Sequence, residues 1–441
     1  MSRRRRIAGW CLALLALGNA GVVAGLWLFT GGPGDIHDTG GLLTGLGRLS
    51  GLLGAYLVLV ELLLMARLPF LDRLVGFDRL TVWHRVNGKA ALSLLIAHAA
   101  LITAGYTIGD RTSLPDQLWR LIDGYPGVIT AVAGLALLVG VVVTSAVAVR
   151  RRLRYETWYF VHLYAYLGVA LAFSHQLATG TEFVGRPGAR AYWYGLYLVT
   201  LGSLVVFRIG VPLWRSLYHR LRVERVVEAG PGVVSVEIGG VRLERLKAQA
   251  GQFFTWRFLT RDRWHEAHPF SLSAAPDGRR LRITVKGLGD YTAALRAIPP
   301  GTPVIAEGPF GTFTAAARRR PRVALIAGGV GITPIRALLE SMPGGPRDIT
   351  VLYRALTAED LILRDELDEL AGSRGIELHY LIGSHEGADL LSPEHLRVLM
   401  PDIADRDVYV CGPPAMVDAT SASLGRTGVS RRHIVTERFA Y

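Results

Sequence analysis

Cysteine is almost absent from this chain, with two in 441 residues. Cys11 and Cys411 cannot supply the four thiolates of an iron–sulfur cluster, nor a disulfide framework. Any redox chemistry therefore falls to haem or flavin. Acidic side chains are scarce too: 36 Asp and Glu stand against 49 Lys and Arg, a net charge of +13. Such an excess invites nucleic acid as a partner. The arginines, however, gather at the ends of apolar runs, which argues for membrane orientation and against nucleic acid.

The mean hydropathy of +0.31 hides a split. Residues 1 to about 213 are dominated by apolar runs, and the remainder reads as soluble α/β sequence. Six apolar segments stand out, at residues 7–29, 42–65, 82–108, 127–149, 158–178 and 191–211, each close to or above the roughly 20 residues a membrane-spanning helix needs. Arginines 3–6, 67, 73, 79, 85, 150–152, 154, 215, 220 and 222 mark one side. The loops at 31–41, 109–126 and 179–190 carry fewer basic residues. The positive-inside rule then gives a multi-pass protein of the cell membrane with both termini and the soluble half in the cytoplasm. The first segment also fits a cleaved signal peptide, with residues 3–6 as its basic region and Gly18-Asn19-Ala20 as small residues.

Four histidines lie inside these segments as two pairs, His84 with His98 and His162 with His175. Ionisable groups at membrane depth are costly and mark function. Spacings of 14 and 13 residues correspond to about 20 Å along a helix, so His84 and His162 share one level and His98 and His175 another. Four imidazoles arranged in this way hold two six-coordinate haems, one above the other. Thirteen steps miss the same helix face by about 140°, so the second histidine helix must bend, bulge or set its outer haem sideways. Arg85 and Lys89 flank the inner level, either to meet haem propionates or to snorkel to the interface.

Short β-rich runs follow at 220–228, 233–238, 252–258, 268–274, 280–286 and 302–307, the pattern of a small antiparallel barrel. His268-Pro269-Phe270-Ser271 suits a flavin, with Phe270 to stack, Ser271 to reach a ring nitrogen and His268 to meet phosphate. Lys286, Gly287, Gly289 and Thr292 end a strand and open a helix that offers backbone N–H groups to a diphosphate. From residue 322 strands and helices alternate as in a parallel sheet. Gly329, Gly331, Thr333 and Pro334 lie between a strand and a helix and suit a nucleotide phosphate. Arg354 ends the next strand, placed for an adenosine ribose or its 2′-phosphate. Cys411, Gly412 and Pro413 end another strand, where ligands bind in open α/β sheets.

In this order, HPFSLS, GPFG (residues 308–311), GGVGITP and CGPPAM resemble the ferredoxin-NADP reductase superfamily. Preceded by apolar spans with paired histidines, the chain resembles the NADPH oxidase and ferric reductase family of transmembrane flavocytochromes b. The resemblance implies His84, His98, His162 and His175 as haem ligands, His268, Phe270 and Ser271 on the flavin strand, and Cys411 near the nicotinamide. It also implies a C-terminal aromatic residue on the flavin, Phe439 in preference to Tyr441.

The expected architecture is a membrane all-α six-helix bundle (1–213), then an antiparallel β-barrel flavin domain (214–318) and an α/β parallel-sheet nucleotide-binding domain (319–441). The expected cofactors are FAD and two b-type haems, with NADPH or NADH as donor. Catalysis would centre on Cys411 and Phe439, in an NAD(P)H-dependent oxidoreductase of a lipid membrane whose acceptor is oxygen or a ferric complex. A haem subunit that serves a quinone or a partner protein is the alternative. Oligomeric state is left open.

Overall fold

The computed structural model describes residues 3–29, 32–150, 152–153, 155–180, 186–383 and 390–439. Arg151, Arg154 and Tyr441 lie outside the described residues. The chain divides into two compact units, residues 4–208 and the part from Ile209 onward.

The first unit is helical: α1 (Arg3–Phe29), α2 (Thr39–Leu64), α3 (Pro69–Leu74), α4 (Phe77–Gly109), α5 (Leu114–Gly124), α6 (Val128–Ser145), α7 (Val147–Arg150), α8 (Tyr155–Thr179) and α9 (Pro187–Ser203). Glycine sets how closely the long helices pack. A Cβ on Gly105 of α4 would fall 2.8 Å from the Gly40 carbonyl oxygen of α2, and one on Gly134 of α6 would fall 2.5 Å from that of Gly168 in α8. Small residues at such crossings let helix backbones meet where no water drives association. Large apolar side chains point outward instead, with Trp10 and Leu15 each 70% exposed and Leu198 75% exposed. α9 runs on through a π-helical turn (Leu204–Gly210) into α10 (Val211–His219). Pro212, which has no N–H to donate to the preceding turn, explains an irregularity there.

Among the described residues, five stretches of helix are long and apolar enough to cross a membrane: Ile7–Phe29, Thr39–Leu64, Arg79–Gly109, Val128–Ser145 and Pro187–His219. The expected count of six is not confirmed by length and hydropathy. The remaining segment, 158–178, does form a helix, but α8 is not among the five. Tyr159, His162, Tyr164, Tyr166, Ser174, His175 and Gln176 dilute its apolar character. Its 25 residues correspond to about 37 Å of helix. It is α-helical throughout, with no bulge.

The second unit begins with six strands: β1 (Arg222–Gly230), β2 (Val233–Gly239), β3 (Phe253–Phe258), β4 (His268–Ser271), β5 (Arg280–Lys286) and β6 (Val304–Phe310), with α11 (Asp290–Ala294) between the last two. The expected barrel does not close. Two three-stranded antiparallel sheets form, in the orders β1-β2-β5 and β4-β3-β6. Among the described residues their edges are linked by the isolated bridges Arg222↔Pro303 and Leu272↔Ile283 and the backbone hydrogen bonds beside them. At the first bridge, Val223 N–H donates to the Thr302 carbonyl and Val304 N–H to the Leu221 carbonyl, and the bridge stays isolated. Trp256, Phe254, Phe258, Ile238, Leu272 and Ile283 belong to one buried core of these strands.

The rest is an open parallel sheet of β7 (Val323–Gly328), β8 (Ile349–Ala355), β9 (Glu377–Ile382), β10 (Asp407–Gly412) and β11 (Ile434–Arg438). Its helices are α12 (Ile332–Ser341), α13 (Arg364–Arg374), α14 (Pro393–Leu399) and α15 (Pro414–Arg426). The order β11-β10-β7-β8-β9 reverses direction at β7. A crevice therefore opens at the C-terminal ends of β7 and β10, where open α/β sheets bind ligands.

Trp256 is fully buried, and its Nε1 donates to the Phe270 carbonyl at 3.0 Å. Trp256→Ala should cost about 3–5 kcal/mol. It should lower the thermal transition of the detergent-solubilised chain, while Val227→Ala on an exposed face leaves that transition in place.

Candidate functional site

The structure brings the membrane histidines together in the expected pairs. The rings of His84 and His162 lie 5.9 Å apart between centroids, and those of His98 and His175 lie 6.4 Å apart. Two metal–imidazole bonds of about 2 Å, plus about 1.1 Å from each nitrogen to its ring centre, sum to roughly 6 Å. Both centroid separations have the length that two imidazoles sharing one metal would need.

Each ring also has a neighbour at Nδ1. His98 donates to the Gly47 carbonyl at 2.8 Å. Nδ1 of His175 lies 2.9 Å from Oγ1 of Thr179. That hydroxyl also lies 2.9 Å from the His175 carbonyl oxygen, which can accept its proton. Nδ1 of His162 lies 3.3 Å from Oγ of Ser145, which also accepts from Trp158 Nε1. Nδ1 of His84 lies 2.7 Å from Oε1 of Glu61. The Gly47 carbonyl, which can only accept, holds the proton on Nδ1 of His98 and leaves its Nε2 free for a metal. Gly51 clears space for one of these rings, because a Cβ there would fall 2.5 Å from Nδ1 of His98. Sequence reasoning missed Glu61, Gly47, Ser145 and Thr179. Glu61 carried a signal, as an acidic residue inside an apolar span. Arg85 and Lys89 are exposed.

In the flavin part, the rings of His268 and Tyr291 stack at 3.9 Å, and Phe270 lies nearly parallel to both. Tyr291 is a further aromatic member that sequence reasoning did not single out. Pro269 is exposed in β4. The turn at Gly287 and Gly289 is partly occupied by its own side chain, since Thr292 Oγ1 accepts from the N–H groups of Leu288 and Gly289. Lys286 is paired with Asp360 at 2.8 Å. That hydrogen bond from Lys286, followed by one from Thr357, holds the Asp360 carboxyl below its ordinary range.

At the crevice, Gly329 has φ +53, a left-handed conformation glycine adopts without penalty. A Cβ there would meet open space, so a ligand can approach this backbone. Gly331 is tight instead, with a Cβ reaching 2.2 Å from the Cys411 carbonyl oxygen. Thr333 is buried and donates to the Val330 carbonyl at 3.0 Å, and Pro334 follows it in the first turn of α12. Arg354 ends β8, half-buried.

Cys411 is fully buried at the end of β10, Gly412 accepts from the Phe439 N–H at 3.1 Å, and Pro413 caps α15. β11 pairs Cys411 with Glu437, and Ser271 donates to the Glu437 carboxylate at 3.0 Å. Thus Ser271, Cys411, Glu437 and Phe439 gather within this unit, although the sequence reading had not marked β11 or Glu437. Burial pushes the Cys411 thiol well up, and the Glu437 charge adds to the shift.

Residues 50–173 match a family described as ferric reductase like transmembrane component, and residues 325–422 match an oxidoreductase NAD-binding domain. Ferredoxin–NADP reductase B of Sorangium cellulosum is 30% identical over 38% of this chain and 77% of its own length. The chain belongs to the NADPH oxidase and ferric reductase family. NADH-cytochrome b5 reductase 1 of Dictyostelium discoideum is 30% identical over 31% of this chain and 51% of its own length. The chain spans about half the length of the first curated relatives it matches. The solved FAD/NAD-binding domain of a nitric oxide dioxygenase from Vibrio cholerae aligns with a TM-score of 0.41. That alignment has 25% identity and covers 50% of this chain and 98% of that one.

A buried, raised thiol has less thiolate than a free cysteine at any pH near neutrality, so it should react slowly. In a Cys11→Ser background, Cys411 should be alkylated more slowly than a free thiol throughout pH 7–9, with ordinary reactivity restored by unfolding. Mass spectrometry of maleimide-treated protein checks this, and labelling at the free-thiol rate at pH 8 contradicts it.

Proposed function

We propose that this protein is a membrane NAD(P)H-dependent oxidoreductase that carries electrons from a cytoplasmic nicotinamide nucleotide through FAD and two bis-histidine b-type haems to an acceptor on the outer side. The observation that carries this reading is the arrangement of four imidazoles, two pairs at haem-compatible spacing, each with a polar atom close to its Nδ1. FAD takes hydride as an electron pair and releases electrons singly, while haem iron passes them one at a time.

The division of labour follows the fold. Residues 1–213 form the haem-bearing part, 214–318 the flavin part and 319–441 the nucleotide part. His268, Pro269, Phe270 and Ser271 would receive the flavin, and Lys286, Gly287, Gly289 and Thr292 would meet its diphosphate only if it displaced the Thr292 hydroxyl from the turn's N–H groups and Asp360 from Lys286. Gly329 gives the nucleotide phosphate access to backbone, and Gly331, Thr333 and Pro334 hold that loop in place. Cys411, Gly412 and Pro413 would shape the nicotinamide end, and Phe439 would lie against the flavin. Excess positive charge at one set of helix ends supports a cytoplasmic reductase unit.

Arg111, Arg120, Arg186 and Arg190 lie near the helix ends on the His98–His175 side. They suit an anionic ferric chelate, or superoxide formed from oxygen. The complete reductase part makes delivery to a quinone or a partner protein the less direct reading.

The chain purified with haem and FAD should be reduced anaerobically by NADPH or NADH, giving a six-coordinate b-type spectrum. Addition of oxygen or a ferric chelate should then reoxidise it and identify the acceptor. His98→Ala and His175→Ala should each lose one of the two haems while flavin reduction persists. Unchanged haem content in both variants sinks the outer pair. Arg354→Ala should weaken NADPH about ten- to a hundredfold and leave NADH unaffected, because only NADPH offers a 2′-phosphate to a charge-assisted hydrogen bond.

A further inference from the structure

The two histidine pairs differ in one respect. His98, His162 and His175 face neutral groups at Nδ1, whereas His84 faces a carboxylate. Oε1 of Glu61 in α2 lies 2.7 Å from Nδ1 of His84 in α4. Asn87, one turn beyond His84 on the same helix, donates from Nδ2 to Glu61 Oε2 at 2.7 Å and to the Leu57 carbonyl at 2.9 Å. Oε2 of Glu61 is thus held by Asn87, while Oε1 approaches His84 Nδ1 closely without the alignment of a hydrogen bond. Gly88 leaves the room, since a Cβ there would fall 2.7 Å from Oε1 of Glu61.

We propose that Glu61 is a positioning residue for His84, orienting its Nε2 toward the metal and lowering the reduction potential of the iron at the His84–His162 level relative to the other. The inference rests on the reading of the four histidines as haem ligands. A carboxylate behind a metal-bound imidazole fixes the ring and makes it a stronger donor. A stronger donor favours the ferric over the ferrous state. The negative charge acts in the same direction, because the oxidised iron carries one more positive charge. Neutral groups at the other three rings give no comparable bias. The electron therefore moves downhill from the His84–His162 level to the His98–His175 level: one iron is oxidised by one electron, the other reduced by one, and no proton is required. Asn87 keeps the carboxylate in place and Gly88 gives it space.

The test is a spectroelectrochemical titration of the purified, haem-loaded full chain with Glu61→Gln and, separately, Gly88→Ala. Glutamine keeps the shape and removes the charge. Alanine at position 88 displaces the flexible carboxylate end and is a better helix former than glycine, so the fold is spared. In both variants one midpoint should rise while the other stays. At fixed potential the ferrous-to-ferric ratio of the affected iron should increase about tenfold, a shift of about 59 mV for a one-electron couple. The iron–imidazole stretching frequency should fall at the same haem. Unmoved midpoints in both variants, with both haems retained, overturn the role of Glu61 and leave the haem reading intact. A native chain that binds no haem overturns both.

Discussion

A polar group at membrane depth must find its partner inside the protein, because hydrocarbon offers none. Four imidazoles place that demand on the helical unit, and the packing of α2, α4, α6 and α8 answers it. One nitrogen of each ring is met by Glu61, by the Gly47 carbonyl, by Ser145 or by Thr179. α2 carries no histidine of the four, yet it provides two of the four partners and the glycine that clears space for His98. Its many small residues thus serve packing and chemistry together. They bring the backbone close enough for a carbonyl to reach a side chain on the neighbouring helix.

The same economy governs the nucleotide unit. The reversal of strand order at β7 leaves a crevice, and the residues at its rim divide into two kinds. Gly331 is held against the end of β10 with no room for a side chain, and this fixes the loop. Gly329 turns its backbone to open space, which is where a ligand can come close. β11 then returns alongside β10 and carries Glu437 to Cys411 and Ser271, so an edge strand completes the cluster.

What could be read from the sequence follows from the range of the interactions involved. Pairing His84 with His162 and His98 with His175 needed only helix rise and direction, both local properties, and the rings do meet. The strand–glycine loop–helix at Gly328–Pro334 was legible because turn chemistry and a buried strand lie side by side in sequence. Barrel closure was not legible, since it depends on whether edges some 80 residues apart, such as those bridged at Arg222 and Pro303, can share a ladder. β11 escaped because five residues of mixed polarity give little periodicity, and only pairing with β10 makes them a strand. Thr292 was legible as a turn residue, but its hydroxyl is spent on the backbone N–H groups of that turn.

The departure from six apolar spans has the same physical origin as the site itself. α8 falls outside the spans recognised by length and hydropathy, although it carries two of the four histidines. An imidazole needs polar neighbours, and α8 provides Thr179 for His175 and places Trp158 on the serine that faces His162. Gln176, one residue beyond His175, in turn accepts from Tyr197 on α9. Each such group lowers the mean hydropathy of the helix. The loss is tolerable where partners on α6 and α9 satisfy the polar atoms, as Ser145 and Tyr197 do, because lipid would leave them bare. Gly134 and Gly168, backbone to backbone at the crossing of α6 and α8, show how closely α8 is covered on one face. For a helix of this kind, weak hydropathy marks the part of the bundle where chemistry is held.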